Sequence, residues 1–304
     1  MARKKSVSYS QFALWEQCPY SWKLQYVDKA IPWSDNIHTL FGSAMHEVLQ
    51  EYLRVMYTKS IVEADKLLLD EELEDRMKKL FMEIMQRNGG EQFCTKDEMT
   101  EFYNDGLKII DFFKKKRGMY FSKKGYELLG IETALNWDLP NNLKFKGFID
   151  LIIKDNIRNR IKIIDIKTSS WGWNKYAKAD KNKTDQLLLY KSFYSKQHDV
   201  PLDRIDVEYF IVKRKLYENT DIKNIEVEYF IVKRKLYEGM DFPQRRVQTF
   251  TPANGKPSIN KVINRLQHFM NECYNDDGTF KDVNYEKCRT KKDCKAFTKC
   301  KDLP

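Results

Sequence analysis

Asp150, Asp165 and Lys167 are the residues best placed to do chemistry together. They lie in two short apolar runs, Gly147-Phe-Ile-Asp150 and Asp165-Ile-Lys167-Thr168, with a polar stretch at 156–159 between them. Residues i and i+2 of a strand point to one face. Asp165 and Lys167 therefore share a face, and Ile164 and Ile166 pack on the other. If the two runs pair as a hairpin, the two carboxylates fall at the same point of adjacent strands. Two acids and an amine held there form a hard-oxygen site suited to Mg²⁺ or Mn²⁺. Without a cation the carboxylates repel and one must take a proton. Glu132, on the run before, is a candidate third carboxylate. The chemistry that suits such a group is phosphodiester hydrolysis. The cation polarises a phosphoryl oxygen and lowers the pKa of a bound water, and Lys167 orients that water and stabilises the charge that develops.

Helical and strand periodicities suggest what must hold these residues. Phe12, Trp15, Tyr20, Leu24 and Val27 recur at helical spacing over 6–30, with Pro19 at a turn or break. Further helices are predicted over 40–58, 62–87 and 97–117. The pattern then changes to strands at 128–135, 144–153 and 160–167, the last two as a hairpin. A helix follows at 184–197 and a strand at 207–214. This predicts an α/β protein, a small sheet with helix-rich flanks. Residues 207–218 recur without change at 227–238. Val207, Tyr209 and Ile211 alternate with Phe210 and Val212, so one copy can fill a sheet position buried on both faces. The other copy must then be an added edge strand or a displaced loop.

Composition narrows the classes. The chain has 304 residues, 42% hydrophobic and 32% charged, enough apolar material for a core. No apolar run approaches the length of a membrane span, and the basic start is not followed by a signal-peptide core. A cytoplasmic address is expected. Lys and Arg total 54 against 44 acids, a net charge of +10. Between 141 and 183 there are 11 bases to 4 acids. Such a surplus suits a polyanion, whose counterions are released on binding.

The ordered motifs resemble the PD-(D/E)xK nuclease superfamily, in particular its RecB-type branch. That branch includes the RecB and AddAB nuclease domains and the CRISPR-associated RecB-like exonucleases. Its members carry an N-terminal helix leading to Cys-Pro, then Gly-x-x-His, Gly-x-x-Asp, Asp/Glu-x-Lys and Gln-x-x-x-Tyr. This sequence has Ser10 to Cys18-Pro19-Tyr20, Gly42-Ser-Ala-Met-His46, Gly147 to Asp150, Asp165 to Lys167-Thr168, and Gln186 to Tyr190, in that order. Three residues separate Gly42 from His46, a departure that still leaves His46 one turn into its helix.

The resemblance implies a restriction-endonuclease-like core over 121–250, a helical N-terminal region over 1–120, and a C-terminal helix with a basic, cysteine-containing tail over 251–304. It also implies roles. Asp150 and Asp165 would ligate Mg²⁺ or Mn²⁺, with the Ile166 carbonyl and His46 as further ligands. Glu132 would be a ligand or an acid just behind the ligands, and Lys167 the catalytic lysine. Gln186 and Tyr190 would position the site or grip the DNA backbone. Some RecB-type nucleases hold a [4Fe–4S] cluster on four thiolates. Here these would be Cys18, Cys288, Cys294 and Cys300. Their C-terminal spacing, Cys-x5-Cys-x5-Cys, departs from the family's Cys-x2-Cys before the last gap, and zinc or plain thiols are the alternatives. Cys94 and Cys273 read as ordinary thiols.

After the catalytic run come Trp171, Trp173 and Tyr176 among Asn174, Lys175 and Lys178, a mixture able to stack bases and track phosphates. The expected activity is a metal-dependent DNA exonuclease on ends or single strands, in recombination, repair or phage DNA processing. A structure-specific endonuclease and a non-catalytic DNA-binding subunit are the alternatives. The sequence contains no Gly-x4-Gly-Lys-Ser/Thr loop, so any unwinding is expected from a helicase or recombination partner.

Overall fold

Caps and breaks divide the N-terminal region much as its sequence suggests. The computed structural model describes residues 4–30, 35–216 and 246–282. A short strand, β1 (Lys5–Val7), precedes α1 (Tyr9–Gln17), where the Ser8 hydroxyl accepts from the Gln11 amide. Pro19 begins α2 (Pro19–Trp22), a position that needs no N–H donor. A π-helical stretch, Lys23–Val27, follows. Helix α3 (Ile37–Thr58) opens on a capping box between Asn36 and Thr39.

The single helix predicted over 62–87 is instead two, α4 (Ile61–Asp65) and α5 (Leu69–Arg87). The break frees carbonyls that need donors. Lys114, from α6 (Lys96–Tyr120), reaches back to the Asp65 and Leu67 carbonyls at 3.3 and 3.1 Å.

The strands are β2 (Tyr126–Leu139), β3 (Leu143–Asp155), β4 (Arg160–Ser169), β5 (Ile205–Lys213) and β6 (Val247–Phe250). Helices α7 (Lys175–Ala179), α8 (Lys181–Thr184) and α9 (Gln186–His198) connect β4 to β5, and α10 (Lys256–Cys273) follows β6. The expected architecture, a mixed sheet flanked by helices, is the one observed. The predicted hairpin of β3 and β4 forms, with the Asp155 carboxylate accepting from the Ile157 and Arg158 amides in its turn. Strands β1 and β6 are additions, so the N-terminal region contributes to the sheet as well as to its helical cover.

The sharing of β3 creates the site. β2 runs along one edge of β3 from Leu139↔Leu143 to Tyr126↔Asp155. The other edge is divided: β1 pairs with Leu143–Phe145 in parallel, and β4 pairs with Leu151–Asp155 antiparallel. Between these stretches, 146–150 has no ladder partner on that edge among the described residues. β4 continues in parallel along β5 through Ser169. The two strands thus diverge just beyond Leu151↔Ile164, and the next residues in register are Asp150 and Asp165.

Side chains alternate into two cores. Helices α3, α5 and α6 cover Leu151, Ile164, Ile166, Phe210 and Val212. Helices α1, α9 and α10 cover Phe145, Ile163, Val207, Tyr209 and Ile211. The first copy of the repeated segment therefore fills the doubly buried sheet position, as its alternation predicts. The second copy, 227–238, lies outside the described residues.

Candidate active site

Three residues of α3, each one turn after the last, point at three successive strands. Gly42 lies against β4: a Cβ there would come within 3.0 Å of the Thr168 hydroxyl. His46 lies against β3, its Nε2 2.9 Å from Asp150 Oδ2. Gln50 lies against β2 and donates from Nε2 to Glu132 Oε1 at 2.7 Å. The i, i+4, i+8 spacing puts all three on one helix face.

Glu132 falls opposite Asp150, between Ile131↔Leu151 and Thr133↔Ile149. Its backbone is left-handed, with φ 51°, a conformation that costs a side-chain-bearing residue of this kind of order 1–3 kcal/mol. His46 Nδ1 stands 3.4 Å from Glu132 Oε1. Ligand atoms of His46, Glu132 and Asp150 all lie within 4.8 Å of one another. Asp150 is fixed from the far side. Where β3 and β4 diverge, the Ile166 amide donates to Asp150 Oδ2 at 2.7 Å.

The opposite face supplies the rest. Lys167 Nζ is 2.8 Å from Asp165 Oδ2 and donates to Gln186 Oε1 at 3.2 Å. Gln186 in turn donates from Nε2 to the Tyr190 hydroxyl at 3.0 Å. Tyr190 is buried, and its ring occupies the space above Gly147. A Cβ at Gly147 would meet the ring at 2.9 Å. The two motif glycines are thus places where a partner element approaches its strand or helix closely.

The electrostatics call for a cation. Burial lifts the Asp165 carboxyl to about 7, with Lys167 pulling it down and Asp150 pushing it up. Burial opposes the charged form of His46, but Asp150, Glu132 and Asp165 outweigh it and raise its pKa. Lys167 is likewise raised, because Asp165 and Asp150 overcome the cost of its burial. Asp165 is 2% exposed; its Oδ2 pairs with Lys167, and its buried Oδ1 has no hydrogen-bond partner among the described residues. A buried carboxylate oxygen left this way calls for a partner. The donor set of one imidazole and two carboxylates, His46, Glu132 and Asp150, suits a divalent ion. His46, Asp150, Asp165 and Lys167 open on a cleft of about 580 Å³ that Gln186, Thr168 and Arg214 also line.

The model of the PD-(D/E)XK nuclease superfamily matches residues 6–301. The chain belongs to this superfamily. Membership implies metal-dependent cleavage of nucleic acid, with DNA as substrate. No curated protein matches the chain. Among the described residues no helix is long and apolar enough to cross a membrane.

In this superfamily member the residues singled out by sequence fall into two groups around the cleft. His46, Glu132 and Asp150 form one. Asp165, Lys167, Gln186 and Tyr190 form the other, and the Ile166 amide ties them together. Asp165 lies outside the tight triplet. Burial leaves Gln186, rather than Tyr190, as the member of that pair lining the cleft.

The aromatic stretch divides. The Trp173 ring packs at 5.0 Å from Tyr209 and 6.2 Å from Phe250, so it belongs to the core and not to a base-stacking surface. Cys18 is buried, its sulfur accepting from the Ser21 amide. Cys94 and Cys273 are buried as well. Cys288, Cys294 and Cys300 lie outside the described residues.

Gln50 escapes a motif-based reading. Its signal was present: a polar residue one turn after His46, on a helix face otherwise filled by Met45, Val48, Leu49 and Tyr52. It is 3% exposed and also donates to the Asp150 carbonyl at 3.2 Å. Gln50→Leu is expected to leave Glu132 unoriented and to weaken Mn²⁺ binding by about 10–100-fold, as loss of a group behind the ligands does. Isothermal titration with Mn²⁺ checks this; an unchanged affinity would refute the role.

Proposed function

We propose that this chain is a metal-dependent DNA exonuclease of the RecB-type branch, acting on DNA ends or single strands in recombination, repair or phage DNA processing. The observation that carries the reading is the convergence of His46, Glu132 and Asp150 beside the Asp165–Lys167 pair, where two strands diverge. Asp150, Asp165, Glu132, His46 and the Ile166 carbonyl would hold Mg²⁺ or Mn²⁺. When bound, the ion supplies a polarised phosphoryl oxygen and a water of lowered pKa.

The protein's own contribution is positioning. Gln186, braced by Tyr190, fixes the Lys167 ammonium beside the attacked phosphate. There Lys167 orients the water and offsets the negative charge that grows on the phosphate oxygens. Residues 1–120 serve as a wall over a core at 121–250. Any unwinding of duplex falls to a partner protein.

The test is cleavage of end-labelled linear single- and double-stranded DNA with Mg²⁺ or Mn²⁺, alongside circular single-stranded DNA. Stepwise loss of label from linear DNA with intact circles supports the exonuclease. Cut circles would make it an endonuclease. DNA binding with no cleavage in either metal would make it a binding subunit.

Cys18, Cys288, Cys294 and Cys300 are proposed as ligands of a [4Fe–4S] cluster. Iron and sulfide content of protein purified without oxygen should then report four iron atoms per cluster-bearing chain. Iron-free protein containing zinc, or no metal, would exclude it.

A further inference from the structure

The row of α3 residues that meets the strands has a fourth member. His38 precedes Gly42, His46 and Gln50 at the same four-residue spacing. Two turns of helix place it about 12 Å along the axis from His46. Gln50, His46 and Gly42 meet β2, β3 and β4, and the first turn of α3 meets the end of β5 by way of α6. There the His38 ring stands 5.1 Å from the Phe102 ring, and the Arg214 guanidinium lies 3.8 Å over that same ring. Asn36, His38 and Arg214 line this end of the cleft, as His46, Asp150 and Lys167 line the other.

Arg214 is the first residue after β5 and is 7% exposed. Its amide donates to the Ser169 carbonyl at 2.9 Å, and its own carbonyl accepts from Arg246 Nη1 at 2.9 Å. From α6, Glu101 and Asp105 accept from its Nη1 at 2.9 and 2.8 Å. A guanidinium carries donors on three nitrogens. Its Nε is buried and has no hydrogen-bond partner among the described residues. An ion pair that only anchored α6 gives no reason for a buried donor left this way.

The acids do not cancel the charge here. Lys215 is 2.9 Å from Glu101, and Lys108 is 3.4 Å from Asp105. With Arg214 and Arg246, four bases meet two acids. The helix end adds no amide of its own, because Asn36 Oδ1 already accepts from the His38 and Thr39 amides. Recognition at this end therefore falls to side chains.

We propose that Arg214 binds a second, uncleaved phosphate of the substrate strand at this end of the cleft. The proposal rests on the nuclease reading above. The edge of a guanidinium matches two phosphate oxygens with parallel N–H donors. β3 and β5 lie two strand spacings apart, about 10 Å. The phosphate held at Arg214 is therefore not the one beside His46, Glu132 and Asp150. Phosphate contacts fix the register of a nucleic acid on a protein. The Arg214 contact thus sets which phosphodiester bond reaches Lys167.

The test uses the full chain on a Lys167→Ala background, so that bound DNA is not consumed. Affinity for a labelled oligothymidylate is measured by anisotropy over a range of salt concentrations at constant Mn²⁺. Arg214→Met with Asp105→Asn removes one charge of each sign and leaves Glu101 with Lys215, so net charge is kept. This double variant should bind about tenfold more weakly, the loss of hydrogen bonds to a charged group. The slope of log affinity against log salt should fall by about 0.7, the value for one phosphate contact on a single strand. Asp105→Asn alone loosens the same anchor but keeps the guanidinium, and should retain the parent slope.

An unchanged slope in the double variant, or an equal fall in Asp105→Asn alone, would overturn the subsite. If melting shows that the double variant does not fold, Arg214→Lys decides. It keeps the charge without the fork and should lose about threefold in affinity; parent affinity would overturn the subsite. Failure of the parent chain to cleave DNA in Mg²⁺ or Mn²⁺ would instead overturn the nuclease reading, and the binding comparison would still decide the subsite.

Discussion

Lys167→Ala is expected to lower metal-dependent DNA cleavage by at least about 10²–10³-fold, the loss typical when one preorganised donor to the developing charge is removed. The ammonium lies between Asp165 and Gln186 at 2.8 and 3.2 Å, so its position is set from two elements, β4 and α9. Removing it leaves the triplet of His46, Glu132 and Asp150, the proposed metal ligands, intact. The loss should therefore fall on kcat, with KM and Mn²⁺ affinity nearly unchanged. Lys167→Arg should recover little, because a planar guanidinium is not a substitute for a compact ammonium at a site of this size. Single-turnover cleavage of labelled DNA with saturating Mn²⁺ gives the comparison. A Lys167→Ala protein that cuts within about tenfold of the parent, far short of the loss of a charge-stabilising donor, would remove Lys167 from the machinery.

Asp150→Asn should abolish cleavage by a different route, loss of the ion. Asp150 meets His46 at 2.9 Å and accepts from the Ile166 amide, which ties the two groups, at 2.7 Å. Groups behind the ligands already cost about 10–100-fold in metal affinity when lost, so loss of a central ligand should exceed about 100-fold. The substitution preserves shape and removes one charge from a crowded acidic group, which limits its effect on folding. The clearest readout is thermal. A ligand that binds only the folded state stabilises it by mass action, by roughly 2.7 kcal/mol at a hundred times its dissociation constant. Mn²⁺ should raise the melting temperature of the parent and leave that of Asp150→Asn where it was. If Mn²⁺ stabilises both proteins equally, Asp150 does not hold the ion.

The two predictions separate because the site has two halves of different origin. Asp165 and Lys167 are neighbours on one strand, and their shared face follows from the two-residue period. Nothing distant is needed to place them together. The same holds for the hairpin, whose polar turn at 156–159 lies between two apolar runs, and for the β5 alternation that puts Tyr209 and Phe210 on opposite faces. Pro19 at a helix start is local in the same sense.

Other features depended on contacts that no short window contains. The split of the predicted 62–87 helix is stabilised by Lys114 from another helix. Trp171 and Trp173 stand two residues apart in the same basic stretch, yet one is 48% exposed and the other is packed on Tyr209. Their difference lies in Gln248 and Phe250, on a strand that short-range patterning missed. The left-handed backbone of Glu132 has no marker in the sequence, since glutamate is not a residue that favours it.

What the sequence by itself determined was local: the shared face of Asp165 and Lys167, and the one-turn spacing of Gln186 and Tyr190. These follow from periods of two and 3.6 residues, which are properties of the backbone alone. What only the tertiary structure decided was which groups meet. β2 occupies one whole edge of β3, so β1 and β4 must divide the other and leave Asp150 at the point of divergence. α3 then crosses those strand ends with Gly42, His46 and Gln50 in line. The meeting of His46, Glu132 and Asp150 is a consequence of that sharing of edges, and chain segments about a hundred residues apart acquire it only when the sheet has formed.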